Sequence, residues 1–175
     1  MNAIKSSLVE GYKSLYQTEQ TASSWNTAPL PSWGAILSTE DSTALARPLI
    51  DVEIFEALHS MKPFKAPSPD GLYAVFFQKF WEVVGTLVKH AIHDIFSSGI
   101  MPMDLNQTLI TLIPKQKDPE TFNHYRPISL CNTVYKIVTK ILVLKIKPFL
   151  PTLVSPLQTA FVTGRRGLDN VVIAQ

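Results

Sequence analysis

Residues 108–131 read TLITLIPKQKDPETFNHYRPISLC, and this stretch decides the fold class. Its first part, TLITLIP (108–114), is apolar and rich in β-branched side chains without a helical period, which predicts a strand. A polar turn follows, and RPISLC (126–131) predicts a second strand. The sequence therefore predicts a two-stranded hairpin with a cation at each rim: Lys115 leaves the first strand and Arg126 enters the second.

The segment after the hairpin, residues 133–149, has an apolar helical pattern around much of its circumference. At 100° per residue, Lys136, Lys140 and Lys147 fall within about 40° of one another, and Lys145 lies on the opposite side. Such a stripe is typical of a phosphate track, and equally of surface lysines that extend their charges into water.

The N-terminal part of the chain predicts one helix and a linker. Apolar side chains recur at helical spacing over residues 4–16, and residues 18–35 are rich in Ser, Thr and Pro. A second helix is expected to begin with Asp51 as its N-cap, with Ile54 and Leu58 on its apolar face.

Two further helices are predicted before the hairpin. The first carries the apolar residues of 75–81, and the second covers 87–98 and ends at Gly99. The preceding loop, KPFKAPSPDG (62–71), contains three prolines, and its last three residues, with Asp70, have the chemistry of a tight turn.

Composition places the chain among soluble intracellular proteins. It is 46% hydrophobic and only 17% charged, so it is not of the disordered class. No apolar run reaches the roughly 18 residues that a membrane span needs, and the start lacks the apolar stretch of a signal peptide. The single cysteine, Cys131, agrees with a reducing compartment. We therefore expect no membrane partner.

Charge is unevenly distributed. From Lys115 onward the chain holds nine basic and three acidic residues, a net charge of +6, whereas the preceding residues have a net charge of −4. This asymmetry suggests that the C-terminal third contacts a polyanion. A helix surface decorated with lysines would give the same count, so charge alone leaves both interpretations open.

Residue patterns for metal or nucleophilic chemistry are weak. His90 and His93 lie away from the apolar face of their helix and have no third ligand nearby in sequence. No phosphate-binding glycine motif is present. Cys131 fits a buried strand end, Asp70 a turn, and Asp169 a helix cap. We therefore predict no catalytic and no metal-binding residue. The Lys115/Arg126 pair is a candidate for ligand binding, because two cations at the rim of a hairpin could bind a triphosphate. A purely structural role fits the pair as well.

Four motifs favour a ligand-binding role of these basic residues over a purely structural one. They are KAPSPDG (65–71), LNQTLITLIPK (105–115), RPISLCNTVYKIVTKIL (126–142) and QTAFVTGRRGLDNVVIA (158–174). In this order the motifs resemble the N-terminal half of the reverse transcriptase of LINE-type (non-LTR) retrotransposons, and their sequences are plant-like. The last motif also resembles group II intron reverse transcriptases, a weaker family alternative.

The resemblance implies an α+β, mostly helical fold: the fingers and the edge of the palm of a right-hand polymerase, with the hairpin at its centre. Residues 46–175 would form this partial reverse transcriptase domain. Residues 1–45, a helix and the linker, resemble the variable region that precedes it. The family also implies location in the nucleus or cytoplasm.

Site roles follow from the same resemblance. Lys115 and Arg126 match the fingers pair that holds the phosphates of the incoming nucleotide. Lys65 and Arg165 match positions near the RNA template. With the lysine stripe, the predicted template contacts are Lys65, Lys136, Lys140, Lys147 and Arg165.

Three positions depart from the family pattern. Ser68 replaces a usual glycine, which strains the loop if that glycine has a positive φ. Lys145 stands where an arginine is usual, which weakens any bidentate contact there. Gly167 replaces a customary apolar residue and removes buried area.

The family's metal-binding aspartates have no counterpart in the 175 residues. Two Mg²⁺ ions, held by those carboxylates, are implied for the complete enzyme, whose partners would be an RNA template, a DNA primer and a deoxynucleoside triphosphate. We therefore expect a truncated RNA-directed DNA polymerase that is inactive alone and carries no cofactor. The alternatives are a non-catalytic RNA- or DNA-binding module and a translated relic without function.

Overall fold

The structure is a computed structural model that describes residues 2–17, 37–65, 69–155, 158 and 162–165. Eight α-helices lie in these ranges: α1 Asn2–Tyr16, α2 Thr39–Leu45, α3 Asp51–His59, α4 Ala74–Lys79, α5 Trp81–Ser98, α6 Met103–Asn106, α7 Thr133–Ile146 and α8 Leu150–Leu153. The strands are β1 Thr108–Pro114 and β2 Tyr125–Cys131, and short 3₁₀ helices cover Phe122–His124 and Lys147–Phe149.

The chain divides into two compact units. The hairpin unit comprises residues 1–33 and 110–128, and the helical unit comprises residues 34–109 and 129–175. Strands β1 and β2 pair in one two-stranded sheet, which confirms the predicted hairpin. The predominance of helix is compatible with the predicted α+β class. The domain division predicted at residue 45 stays a prediction.

The core of the helical unit is built by α3, α4, α5 and α7. Its members share the apolar helical period seen in the sequence, and most are fully buried or nearly so. The cluster consists of Ile54, Ala57, Leu58, Phe77, Val88, Ile92, Ile95, Ile137, Val138 and Ile141. Burial of each Leu or Ile side chain stabilises the fold by about 1.5–3 kcal/mol relative to exposure. This core fixes α7, the helix that carries two of the predicted template contacts, Lys136 and Lys140.

Helix α3 begins differently from the prediction. Asp51 is its first helical residue and Ile50 its N-cap, so the expectation of Asp51 as N-cap was wrong. The Ile50 N–H donates to the Glu53 carboxylate at 3.0 Å, and the Glu53 N–H donates to the Ile50 carbonyl at 3.1 Å. The Glu53 side chain therefore satisfies the backbone N–H of the N-cap residue, which is one half of a capping box.

Glycine ends helix α5 as predicted. Gly99 has φ of 69°, in the left-handed region, and its N–H donates to the Ile95 carbonyl at 2.9 Å. A side chain at this φ would be strained, which is why glycine is favoured there. The helix starts earlier than expected, because Trp81 is its first residue and not part of the preceding helix.

Other sequence predictions are confirmed or fall outside the described ranges. Strand β1 has the predicted bounds, and β2 starts one residue earlier. The helix predicted over 133–149 is α-helical to Ile146 and 3₁₀ beyond it. Helices α2 and α6 were not predicted. The linker at 18–35, Ser68, Gly167 and the helix predicted from Asp169 lie outside the described residues.

The hairpin unit packs α1 against one side of the β-ribbon. The Tyr12 ring meets the Phe122 ring edge-on, with centroids 5.6 Å apart, and stacks with Tyr16 at 6.2 Å. Leu8 and Tyr12 of α1 line an open groove of about 760 Å³ together with Ile110 and Leu112 of β1. Tyr12 is buried, which makes it the anchor of this small contact.

Candidate nucleotide and nucleic-acid contacts

The register of the hairpin places Lys115 and Arg126 on one face. The Lys115 N–H donates to the His124 carbonyl at 2.8 Å. In an antiparallel ladder this bond sets residue 113 opposite residue 126 and residue 115 opposite residue 124. Since alternate residues share a face, Lys115 and Arg126 are diagonal neighbours, a relation in which Cα atoms lie roughly 7–8 Å apart.

Both cations of this pair are exposed. The Lys115 ammonium donates to the Asn123 carbonyl at 2.7 Å, which leaves two of its three N–H donors available. The Arg126 guanidinium has no hydrogen-bond or ion-pair partner among the described residues. Two unneutralised cations side by side are suited to an anion with several oxygens, arginine by a planar fork and lysine as a point charge.

The same face of the ribbon is apolar beyond the cations. Ile113 and Ile128 are 42% and 40% exposed, and the register puts both on the face of Lys115 and Arg126. The opposite face carries Ile110 and Leu112, which line the groove with α1. The hairpin therefore presents two exposed apolar side chains beside two positive charges, an arrangement that fits a ligand with an apolar part and an anionic part.

The lysine stripe lies along α7 and its 3₁₀ extension. Lys136 and Lys140 are half-buried and Lys147 is exposed. Within the described ranges, none of the three ammonium groups has a hydrogen-bond or ion-pair partner. Their charges are therefore available to a ligand, while the role of the stripe as a phosphate track stays a prediction.

Lys145 has a different environment. Its ammonium lies 3.2 Å from the Glu53 carboxylate and donates to the Arg47 carbonyl at 3.1 Å. The lysine side chain is 13% exposed and the glutamate side chain 25% exposed. Because Glu53 also accepts the Ile50 N–H, this pair joins α7 to the start of α3. The departure from arginine at this position thus affects a structural contact between two helices.

Arg165 is held by backbone oxygens. Its guanidinium donates to the carbonyls of Pro151, Val154, Ser155 and Gln158. Arginine has five N–H donors, so most of its hydrogen-bonding capacity is used in fixing the segment after α8. The side chain is half-buried. The predicted template contact by Arg165 stays a prediction, and the geometry leaves one donor for it.

Lys65 is exposed and follows Phe64, whose side chain is 76% exposed. The adjacent residues 66–68 lie outside the described ranges. Beyond them, Gly71 has φ of 75°, and the Asp70 carboxylate accepts the Leu72 N–H at 2.9 Å. This bond confirms Asp70 as a turn residue, because an aspartate side chain commonly closes such a turn onto the residue two positions later.

One ionic cluster was not anticipated from the sequence. Asp51 lies 3.0 Å from the Lys89 ammonium and 2.9 Å from His93 Nε2, and both partners lie on one face of α5. Hydrogen bonds from His93 and from Lys89 hold the pKa of the Asp51 carboxyl below its ordinary value. The four-residue spacing of Lys89 and His93 was visible in the sequence, but their acidic partner is far away along the chain.

The described part of the chain contains no group of three or more His, Cys, Asp or Glu side chains that could hold a metal ion. No described helix combines the length and apolarity that crossing a bilayer requires.

The predicted site residues fall in different units. Lys115 and Arg126 belong to the hairpin unit, and the structure brings them together. Lys65, Lys136, Lys140, Lys147 and Arg165 belong to the helical unit. Of these, the three lysines on α7 and its extension share one side of a single helical segment.

The chain is similar to a protein of a transposable element. No protein-family model matches the chain. The chain is 33% identical over 138 residues to the uncharacterized 149 kDa protein of transposon TX1 from Xenopus laevis. The match covers 79% of this chain and 11% of the relative, so the chain spans about a tenth of that protein's length. The similarity supports a protein related to LINE-type transposable elements.

Proposed function

We propose that this chain is the fingers part of an RNA-directed DNA polymerase of a non-LTR retrotransposon, and that Lys115 and Arg126 bind the triphosphate of the incoming nucleotide. The observation that carries the proposal is the shared hairpin face, where both cations are exposed and neither takes part in an ion pair among the described residues. The motif order supports the same assignment, and the transposon relative supports the origin of the chain in a non-LTR retrotransposon.

Physical chemistry explains why a hairpin suits this task. A triphosphate carries several negative charges, and charged hydrogen bonds to it are about twice as strong as neutral ones. The antiparallel ladder holds the backbone of the two residues at a fixed spacing, so only their side chains need ordering when the ligand arrives. The apolar surface at Ile113 and Ile128 would lie beside the less polar part of the nucleotide.

The test is a binding titration of the 175-residue chain with a fluorescent deoxynucleoside triphosphate at low salt. We expect Lys115→Ala and Arg126→Ala each to weaken binding by about tenfold or more, the loss typical of one charged hydrogen bond. Lys117→Ala removes the same charge from the exposed hairpin turn and serves as the matched control.

Two outcomes would overturn this assignment. The first is an equal, small loss for all three variants, which would show that only net charge matters. The second is binding of the unphosphorylated deoxynucleoside as tightly as the triphosphate, which would show that the phosphates are not the recognised part.

Polymerisation is not expected from these 175 residues alone. Phosphoryl transfer needs carboxylates that hold two Mg²⁺ ions, and the described acidic side chains form no such group. No catalytic step is therefore assigned to this chain. Primer extension on an RNA template with Mg²⁺ should give no incorporation, and measurable incorporation by the purified chain would contradict this.

A second candidate function, RNA binding without catalysis, is favoured by the three unpaired lysines of the α7 stripe. If Lys136, Lys140 and Lys147 each neutralise one phosphate, their joint replacement by alanine should flatten the slope of log K against log salt by about 2–3. The matched control replaces Lys5, Lys79 and Lys117, three exposed lysines elsewhere. Equal slopes for the two triple variants would exclude a specific track.

A further inference from the structure

Helix α1 packs closely against one aromatic residue of the hairpin turn, Phe122. The Phe122 ring is covered by Tyr12, whose centroid is 5.6 Å away, and by the backbone of Gly11. A Cβ atom added at Gly11 would overlap three atoms of the Phe122 ring. Glycine is therefore required by close approach at this point, although it is among the weakest helix formers.

The two residues that follow Phe122 each accept a hydrogen bond from Lys115. The Lys115 N–H donates to the His124 carbonyl at 2.8 Å, and the Lys115 ammonium donates to the Asn123 carbonyl at 2.7 Å. Both acceptors belong to the 3₁₀ turn Phe122–His124 that Phe122 begins. The position of the ammonium group thus depends on where this turn lies, and the turn is fixed through the Phe122 ring.

We propose that α1, through Gly11 and Tyr12, is a positioning element that sets Lys115 for phosphate binding. The inference rests on the proposed function, because Lys115 is the residue it acts through. No residue of β1 or β2 is buried, so the strands themselves supply little packing that could hold the turn. Fixing the turn in advance removes an ordering cost that would otherwise oppose nucleotide binding.

Gly11→Ala is the most informative variant. Alanine favours helix over glycine, so α1 itself should become more stable, while the added methyl group collides with the Phe122 ring. We expect triphosphate binding to weaken by about three- to tenfold, up to the loss caused by Lys115→Ala. Phe122→Leu in the Gly11→Ala background makes room for the methyl group and should recover part of the affinity.

Double variants separate positioning from general loss of structure. If α1 acts through Lys115, Gly11→Ala should cause no further loss in a Lys115→Ala background, whereas its effect should multiply with that of Arg126→Ala. A general unfolding of the hairpin would weaken binding in both backgrounds. Equal further losses in both would therefore overturn the positioning role.

The remaining outcomes distinguish this inference from the proposed function. If Lys115→Ala leaves binding unchanged, the proposed function fails. If Lys115→Ala weakens binding but Gly11→Ala does not, only the positioning role fails. Tyr12→Leu removes the edge-on ring contact without a collision and gives an independent check, with a smaller loss of affinity expected. Its binding at wild-type affinity would likewise count against positioning.

Discussion

The two units of this chain use their apolar side chains in opposite ways. Among the described residues, the six largest fully buried side chains all belong to the helical unit: Ile54, Leu58, Ile92, Thr133, Ile137 and Ile141. In contrast, no residue of either hairpin strand is buried, and Ile113 and Ile128 stay about 40% exposed. The difference teaches that stability comes from the helices, while the ribbon keeps a surface available for binding.

The two units also differ in the partners of their lysine and arginine side chains. In the helical unit, Lys145 pairs with Glu53, and Arg165 bonds four carbonyl oxygens. In the hairpin unit, Lys115 makes one bond to a neighbouring carbonyl, and Arg126 makes none with the described residues. A positive charge in this chain therefore serves the fold where a carboxylate or several carbonyl oxygens lie within reach. It stays available to a ligand where the described residues offer no such partner, as at Arg126 and at the half-buried Lys136 and Lys140.

The largest expected effect tests the contrast in packing. Ile137→Ala removes a fully buried side chain of the helical core, and we expect it to lower the free energy of unfolding by about 2–5 kcal/mol. Ile128→Ala makes the same chemical change on the exposed hairpin face and should cost less than about 1 kcal/mol. Urea unfolding followed by circular dichroism measures both. Similar costs for the two variants would mean that the hairpin is also part of the stabilising core.

A smaller effect tests the contrast between cations. Lys145→Met leaves the half-buried Glu53 carboxylate without its partner, and should cost about 1–3 kcal/mol of unfolding free energy. Lys147→Met, on an exposed position two residues away, should change stability by less than about 0.5 kcal/mol. The same urea titration compares them. If Lys147→Met is the more destabilising of the two, the division between structural and available lysines is wrong.

The smallest effect concerns pH and the exposed Asp51 cluster. Because the folded-state pKa of Asp51 lies below its ordinary value of 3.8, its carboxylate stabilises the fold above that value and loses this effect as pH falls through the lowered pKa. Asp51→Asn should therefore lower the melting temperature slightly at pH 7 and by less near pH 3. A difference between wild type and variant that grows on acidification would contradict the cause assigned to the shift.

Much of the local structure was predictable. The β-branched run at 108–114 gave the strand with its observed bounds, because apolar residues without a helical period favour extended backbone. Gly99 gave the end of α5, because it accepts a positive φ. The pairing of β1 with β2 followed from the polar turn between two apolar runs.

Contacts between distant segments were not predictable. Lys145 and Glu53 are almost a hundred residues apart, and their pairing depends on how α7 packs against α3. The N-cap prediction at Asp51 failed because Glu53 reaches back to the Ile50 N–H, while Asp51 pairs with Lys89 and His93 on α5. The Lys115/Arg126 pair was found because both residues flank one turn, where sequence separation is short.

The sequence by itself determined the hairpin, the helices that dominate the fold and the placement of two cations at the rim of one turn. These features depend on backbone preference and on the period of apolar residues, which act over a few positions. Only the tertiary structure decided which lysines and arginines are free for a ligand and that Gly11 must approach Phe122 closely. Charge neutralisation and steric contact depend on distance in space, and packing brings together residues that are remote in the chain.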